Sequence, residues 1–147
     1  MVVFPKKVLP ATDGSSEAKQ AAEMAVDLST RHGSELHVIY VGPVPEAYIN
    51  YINQWPTVES ELEVELRQRA EEEACKKASE EAGGGIAHIH GRVGRADAEI
   101  VRLAEEIGGS PIVVGSRGLG PLRRALVGSV SGSVVHHAHC PVLVVRG

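Results

Sequence analysis

Five short aliphatic runs, separated by stretches with helical spacing, constrain this chain more than any other feature. Lys7–Ala11, Leu36–Val41, Ile86–His90, Pro111–Val114 and Val142–Val145 read as buried strands. After the first, Ala18, Ala21, Ala22, Ala25 and Leu28 recur at the spacing of one helix face, and Gly33 supplies a stop. Val58, Leu62, Leu66, Ala70 and Ala74 continue through Ala78 and Ala82 as the apolar stripe of a long helix, ended by Gly83, Gly84 and Gly85. Ile100, Leu103, Ala104 and Ile107 mark a third helix, and Val130, Val134 and Val135 a short fourth. Apolar strands alternating with helices predict an α/β fold. We expect a Rossmann-like open parallel sheet of five strands, with helices on both faces. Pro10 cannot donate to a ladder, so it is expected near the end of its strand. With 147 residues and neither an internal repeat nor a linker, residues 1–147 read as a single domain.

Composition narrows the class. Hydrophobic residues make up 43%, too many for a disordered chain. The aromatic residues Phe4, Tyr40, Tyr48, Tyr51 and Trp55 all precede position 56, so the core must be aliphatic. No apolar run approaches the ~20 residues of a membrane helix, and the first residues do not read as a signal peptide. Cys75 and Cys140 form neither a disulfide framework nor a metal ribbon. A cytoplasmic protein without membrane or nucleic-acid partners is expected.

Charge is unevenly placed around a net of −4. From Ser116 to Gly147 there is no Asp or Glu, while Arg117, Arg123, Arg124 and Arg146 are present. This stretch holds Gly115, Gly118, Gly120 and Gly128, with Ser129 and Ser131 following, and begins where a strand ends. Glycines let backbone amides approach an anion, and the helix starting near Ser129 adds its own amino-terminal amides. It is not a P-loop, because no lysine follows the last glycine. Nor is it the dinucleotide fingerprint, since Gly118-Leu119-Gly120 is followed by Pro-Leu-Arg. The same glycines also suit a turn without ligand. In an open parallel sheet the ligand position is outside the carboxyl ends of the strands, so the turns at Thr12–Ser16, Val41–Pro45 and Gly115–Ser129 are candidates.

The spacing Gly115-x2-Gly118-x9-Gly128-Ser129 resembles the nucleotide-binding motif of the universal stress protein family. Val8 through Ser15, with Thr12-Asp13-Gly14-Ser15, is similar to that family's first strand and turn. Gly128-Ser129-Val130-Ser131 and Cys140-Pro141-Val142 through Val145 are similar to its closing helix and strand. The resemblance implies strand order 3-2-1-4-5, ATP binding in stress regulation, and a homodimer. It would place Ala11 and Asp13 beside the nucleoside and the Val41 backbone at adenine. Gly115, Gly118, Gly128 and Ser129 would hold the phosphates, completed by Arg117 and Val130. Ser131 would reach ribose or phosphate oxygens, Gly94 would approach the same groups, and Asp13 would help orient Mg²⁺. The last strand, Val142–Val145, would be the dimer contact.

Other groupings invite other chemistry. No Gly-x-Ser-x-Gly elbow supports a serine hydrolase. With no strong general base in view, ATP turnover is expected to be absent or slow, with hydrolysis or self-phosphorylation left as an alternative. A dimeric interaction module that keeps its glycines for folding is another. His136, His137, His139 and Cys140 look like a metal cluster, but Pro141 follows and their orientations should diverge. His88 and His90 point the same way on a strand with no evident third ligand. Tyr48, Tyr51 and Trp55 share a helical spacing and read as a hydrophobic cap, a base-stacking platform or a lid.

Overall fold

The computed structural model describes residues 3–54, 61–82, 87–116 and 128–147. Its strands are β1 (Lys7–Thr12), β2 (Glu35–Gly42), β3 (His88–Val93), β4 (Ile112–Gly115) and β5 (Val142–Val145). They form one parallel sheet in the order β3-β2-β1-β4-β5. The helices are α1 (Ser16–His32), α2 (Glu46–Gln54), α3 (Glu61–Glu81), α4 (Ala96–Glu106) and α5 (Ser129–His137).

Successive strand residues divide between two cores, as the period of two requires. Val8, Val38 and Val113 point to the face covered by α1 and α3, where they meet Ala21, Ala25, Ala78 and Ala82. Leu9, Ile39, Ile112 and Val114 point to the other face and meet Ile100, Leu103 and Ala104 of α4 and Val134 of α5. Each fully buried Leu, Ile or Val contributes on the order of 1.5–3 kcal/mol. The first face is alanine-rich, so its helices lie close to the sheet. A Cβ on Gly91 would collide with the backbone of Glu71 and Cys75 in α3. A Cβ on Gly115 would come within 2.8 Å of the Glu17 carbonyl carbon in α1.

Local signals set the helix ends. Ser15 caps α1 by accepting the Ala18 N–H at 3.2 Å, and Gly33 closes it at φ 67°. Gly108 and Gly109, both at positive φ, follow α4.

Three expectations need correction. Pro10 lies inside β1, fully buried, rather than at its end. The β1–β2 pairing accommodates it by skipping from Val8↔Leu36 to Ala11↔Ile39. The third strand runs on through Gly91 to Val93, because that glycine admits α3 rather than breaking the strand. Leu62, placed in the buried stripe of the long helix, is 49% exposed. With 21 residues α3 is about 31 Å long, against about 20 Å for six-residue β3, so its first turns overshoot the sheet. Val58 and Ile86 lie outside the described residues.

Candidate functional site

The strand order reverses between β1 and β4, and a cleft of about 510 Å³, open to solvent, lies there at the carboxyl ends of the strands. Ala11, Thr12, Asp13 and Ser15 from the first strand and turn line it, with Ile39 and Val41 of β2 and Val114 and Gly115 of β4. Ala96 and Ile100 of α4 and Val130 and Ser131 of α5 close the other side.

Six of the residues singled out in the sequence therefore meet in one cleft: Ala11, Asp13, Val41, Gly115, Val130 and Ser131. Gly128 is the residue before α5, and Ser129 is that helix's first residue. Gly94 follows β3 at φ 138°, where glycine is favoured, and its N–H donates to the Gly42 carbonyl at 3.1 Å. It is not among the residues that line the cleft. Arg117 and Gly118 lie outside the described residues. Thr12, Ile39 and Ile100 are lining residues that sequence spacing did not single out. The signal for Thr12 was its place in the Thr-Asp-Gly-Ser turn; the isoleucines read only as core.

Thr12 is the informative addition. Its side chain is buried, and its Oγ1 finds no hydrogen-bond partner among the described residues. A buried hydroxyl without a partner is costly and is rare in native structures. Beside it, the Ser15 N–H donates to Asp13 Oδ1 at 2.9 Å, which fixes the turn, while Gly14 takes φ 83°.

Opposite, α5 starts without a side-chain cap. The first amides of a helix have no intrahelical acceptor and sit at its positive end. The Gly128 N–H and the Ser131 hydroxyl both donate to the Ser116 carbonyl, at 2.5 and 2.9 Å, and so tie the start of α5 to the end of β4. Ser131 is thus already committed, and a bond from it to a ligand would have to give up that carbonyl.

The two helices of this wall are tied together by Asp97. Its carboxylate accepts two bonds from Arg95, both at 2.8 Å, and one from Ser133 Oγ at 2.6 Å. The Arg95 guanidinium holds the Asp97 carboxyl well below the usual carboxylate range, with Ser133 and the Ala98 N–H acting in the same direction.

The remaining groupings fall elsewhere. Tyr48 lies with Val44, Pro45, Arg67 and Val93 in a separate cleft between α2 and α3. The side chain of Tyr51 and all of Trp55 lie outside the described residues. His136 and His137 are exposed and meet edge to face, and His139 is 4.0 Å from Glu105. Burial and Glu105 push the Cys140 thiol up, away from the thiolate a metal would need. Among the described residues these four side chains do not converge on a metal-binding point.

A five-stranded parallel sheet with helices on both faces and a cleft at its switch point defines a class, the doubly wound α/β proteins. Residues 5–146 match the model of the universal stress protein family. Universal stress protein MJ0531 of Methanocaldococcus jannaschii is 36% identical over 144 residues, covering 96% of this chain and 82% of that protein. The solved structure of hypothetical protein MJ0577 superposes with a TM-score of 0.72 at 31% identity, covering 99% of this chain and 98% of that one. A universal stress protein in complex with cAMP shares the fold with a TM-score of 0.61 at 24% identity, covering 96% of each chain. The chain belongs to the universal stress protein family. No helix among the described residues is long and apolar enough to cross a membrane.

Proposed function

We propose that this chain is an adenine-nucleotide-binding regulatory protein of the stress response, acting in the cytoplasm, with ATP as its ligand. The observation that carries this reading is the convergence of Ala11, Asp13, Val41, Gly115 and Val130 on one cleft, which Thr12 also lines. The cAMP complex of a protein with this fold agrees with that class of ligand. Ile39, Val41 and Ile100 offer an apolar seat for the base, and the Val41 backbone offers hydrogen bonds without needing a particular side chain. The uncapped start of α5, at Gly128, Ser129 and Val130, would receive phosphate oxygens. The motif would add Arg117 and Gly118 to the phosphate contacts, and Gly94 would flank the ribose side. Asp13 would help hold a Mg²⁺ accompanying the nucleotide, a cation that takes oxygen ligands such as carboxylates and would offset phosphate charge.

Binding would alter a surface read by a protein partner. Homodimerisation through β5 fits the same reading, since its outer edge is unpaired among the described residues and Leu143 is 40% exposed.

One observation favours the reading without nucleotide. The tight approach of α1 gives Gly115 a structural reason to be glycine. Gly128 discriminates, because its φ of −67° and ψ of 169° are open to any residue. The test is to denature the purified protein, look for released adenine nucleotide, and titrate ATP with Mg²⁺ into the stripped chain by calorimetry. Micromolar or tighter binding, weakened by Gly128→Val and Gly118→Val without loss of fold, supports the sensor. No bound nucleotide and no heat sinks it and leaves a dimeric interaction module. Sustained phosphate release would instead mark a slow ATPase.

A further inference from the structure

The amino-terminal ends of β2 and β3 carry a second concentration of chemistry, remote from the cleft. Glu35 and His37 are two residues apart on β2, so they share the face of Ile39 and Val41. Across the ladder His37 pairs with His88 and Ile39 with His90. His37 and Val41 are four residues apart, about 13 Å along the strand.

The geometry is that of a ligand set. His37 Nε2 lies 3.2 Å from Glu35 Oε2, and His88 Nε2 lies 4.0 Å from the same oxygen. One ligand atom from each of the three residues falls within 4.8 Å of the other two. A tetrahedral metal with bonds of about 2.0–2.1 Å holds its ligand atoms roughly 3.3 Å apart. Glu35 and His37 already meet that spacing. His88 stacks on His37, and parallel rings cannot aim their nitrogens at one metal, so it must leave that stack and close by up to about 1.5 Å; its side chain, 60% exposed, is free to turn. His37 is the opposite case, 8% exposed and held in place. Its Nδ1 lies 2.9 Å from His90 Nε2, and its ring stacks on those of His88 and His90.

We propose that Glu35, His37 and His88 form a site for a divalent transition metal such as Zn²⁺, with solvent completing the shell and His90 orienting His37. Imidazole with carboxylate suits zinc, copper or nickel better than magnesium or calcium. A metal-bound histidine nearly always donates its other ring N–H to a fixed acceptor, and His90 stands where that acceptor belongs. Without metal, protons on His37 Nε2 and His90 Nε2 satisfy both contacts. With metal on Nε2, the two neutral rings exchange tautomers, and His37 Nδ1–H donates to His90. Lys7, opposite Glu35 in the register, is turned to the Ile107 carbonyl at 3.2 Å. Because β3, among the described residues, is an edge strand paired with β2 alone, a metal held by Glu35, His37 and His88 would clamp that edge at its first residue.

The test titrates ZnCl₂ into the tag-free, chelator-treated, nucleotide-free full chain by calorimetry, with Co²⁺ absorption as a second readout. One equivalent should bind and raise the melting temperature. His88→Ala and Glu35→Gln should each weaken binding at least about tenfold, and His90→Ala by about 10–100-fold. His88→Ala removes a ring that stacks on His37, so its zinc shift is read against its own metal-free melt, and its ATP titration should match the parent. A His136→Ala/His139→Ala double variant should bind zinc as the parent does. A folded parent that takes up no zinc overturns the proposal. So does uptake that survives both His88→Ala and Glu35→Gln, or that disappears in the double variant.

Discussion

At the carboxyl ends of β1, β2 and β4 the sheet presents backbone, small side chains and apolar surface. At the amino ends of β2 and β3 it presents imidazole and carboxylate. The first region leaves a hydroxyl without a partner at Thr12, whereas the second joins Glu35, His37 and His90 in a continuous chain of contacts. The difference teaches what each end can recognise. A cleft built from amides and aliphatic groups suits an extended ligand that brings its own charge. A cluster of side-chain lone pairs suits a cation.

The comparison is broken most forcefully at Gly115. Gly115→Val should cost about 1–3 kcal/mol or more in denaturant unfolding of the nucleotide-free chain, because the clash is with helix backbone that cannot move aside. Gly128→Ala should cost under about 1 kcal/mol yet weaken ATP binding. If the two variants behaved alike, the division between a packing glycine and a ligand glycine would be wrong.

Next in size is Asp97. Asp97→Asn should destabilise by about 1–2 kcal/mol, since it weakens charge-assisted bonds joining α4 to α5. The folded carboxyl lies below its unfolded value, so the stability it contributes is complete above about pH 4 and is lost as pH falls further. The gap between parent and variant should therefore narrow between about pH 5 and pH 2 in urea titrations.

At the other end of the sheet the sharpening experiment is also a pH series. Burial, then the charges of His37, Arg92 and His88, hold the His90 imidazole below the usual histidine range, against the opposing pull of Glu106. Its contribution is complete above about pH 6.5 and is lost as pH falls below. His90→Gln should flatten the metal-free stability profile between about pH 7 and pH 5. An unchanged profile would show that His90 is not held neutral by its surroundings.

Thr12→Val gives the smallest effect on stability and the cleanest on function. Replacing an unsatisfied hydroxyl by a methyl should leave the nucleotide-free chain within about 1 kcal/mol of the parent. ATP affinity should fall roughly threefold to tenfold by calorimetry if the ligand supplies the missing partner.

Much of the fold was legible because parallel strands buried on both faces leave continuous aliphatic runs. The alanines of α1 and the glycines closing α1 and α4 fell where spacing placed them. Pro10 was misread because ladder chemistry is local, while the skipped pairing that admits it belongs to β2. Leu62 was misread because periodicity records a face but not how far the sheet extends beneath it. Six cleft residues, Ala11, Asp13, Val41, Gly115, Val130 and Ser131, were legible through the family resemblance, which carried them over position by position from four separate segments. Gly115 was visible for an incomplete reason, because the α1 backbone that crowds it is distant in sequence. The Glu35–His37–His88 cluster was hidden: His88 and His90 showed only each other, and the third ligand lies across a register that exists only once β2 and β3 pair.

The most direct test follows backbone amide resonances of the nucleotide-stripped chain through an ATP titration. Saturable shifts at Ala11, Thr12, Asp13, Val41, Gly115 and Ser129–Ser131, with Glu35, His37 and His88 unmoved, are the predicted result. Absence of saturable shifts at the cleft, or shifts centred on the amino ends of β2 and β3, would contradict the account.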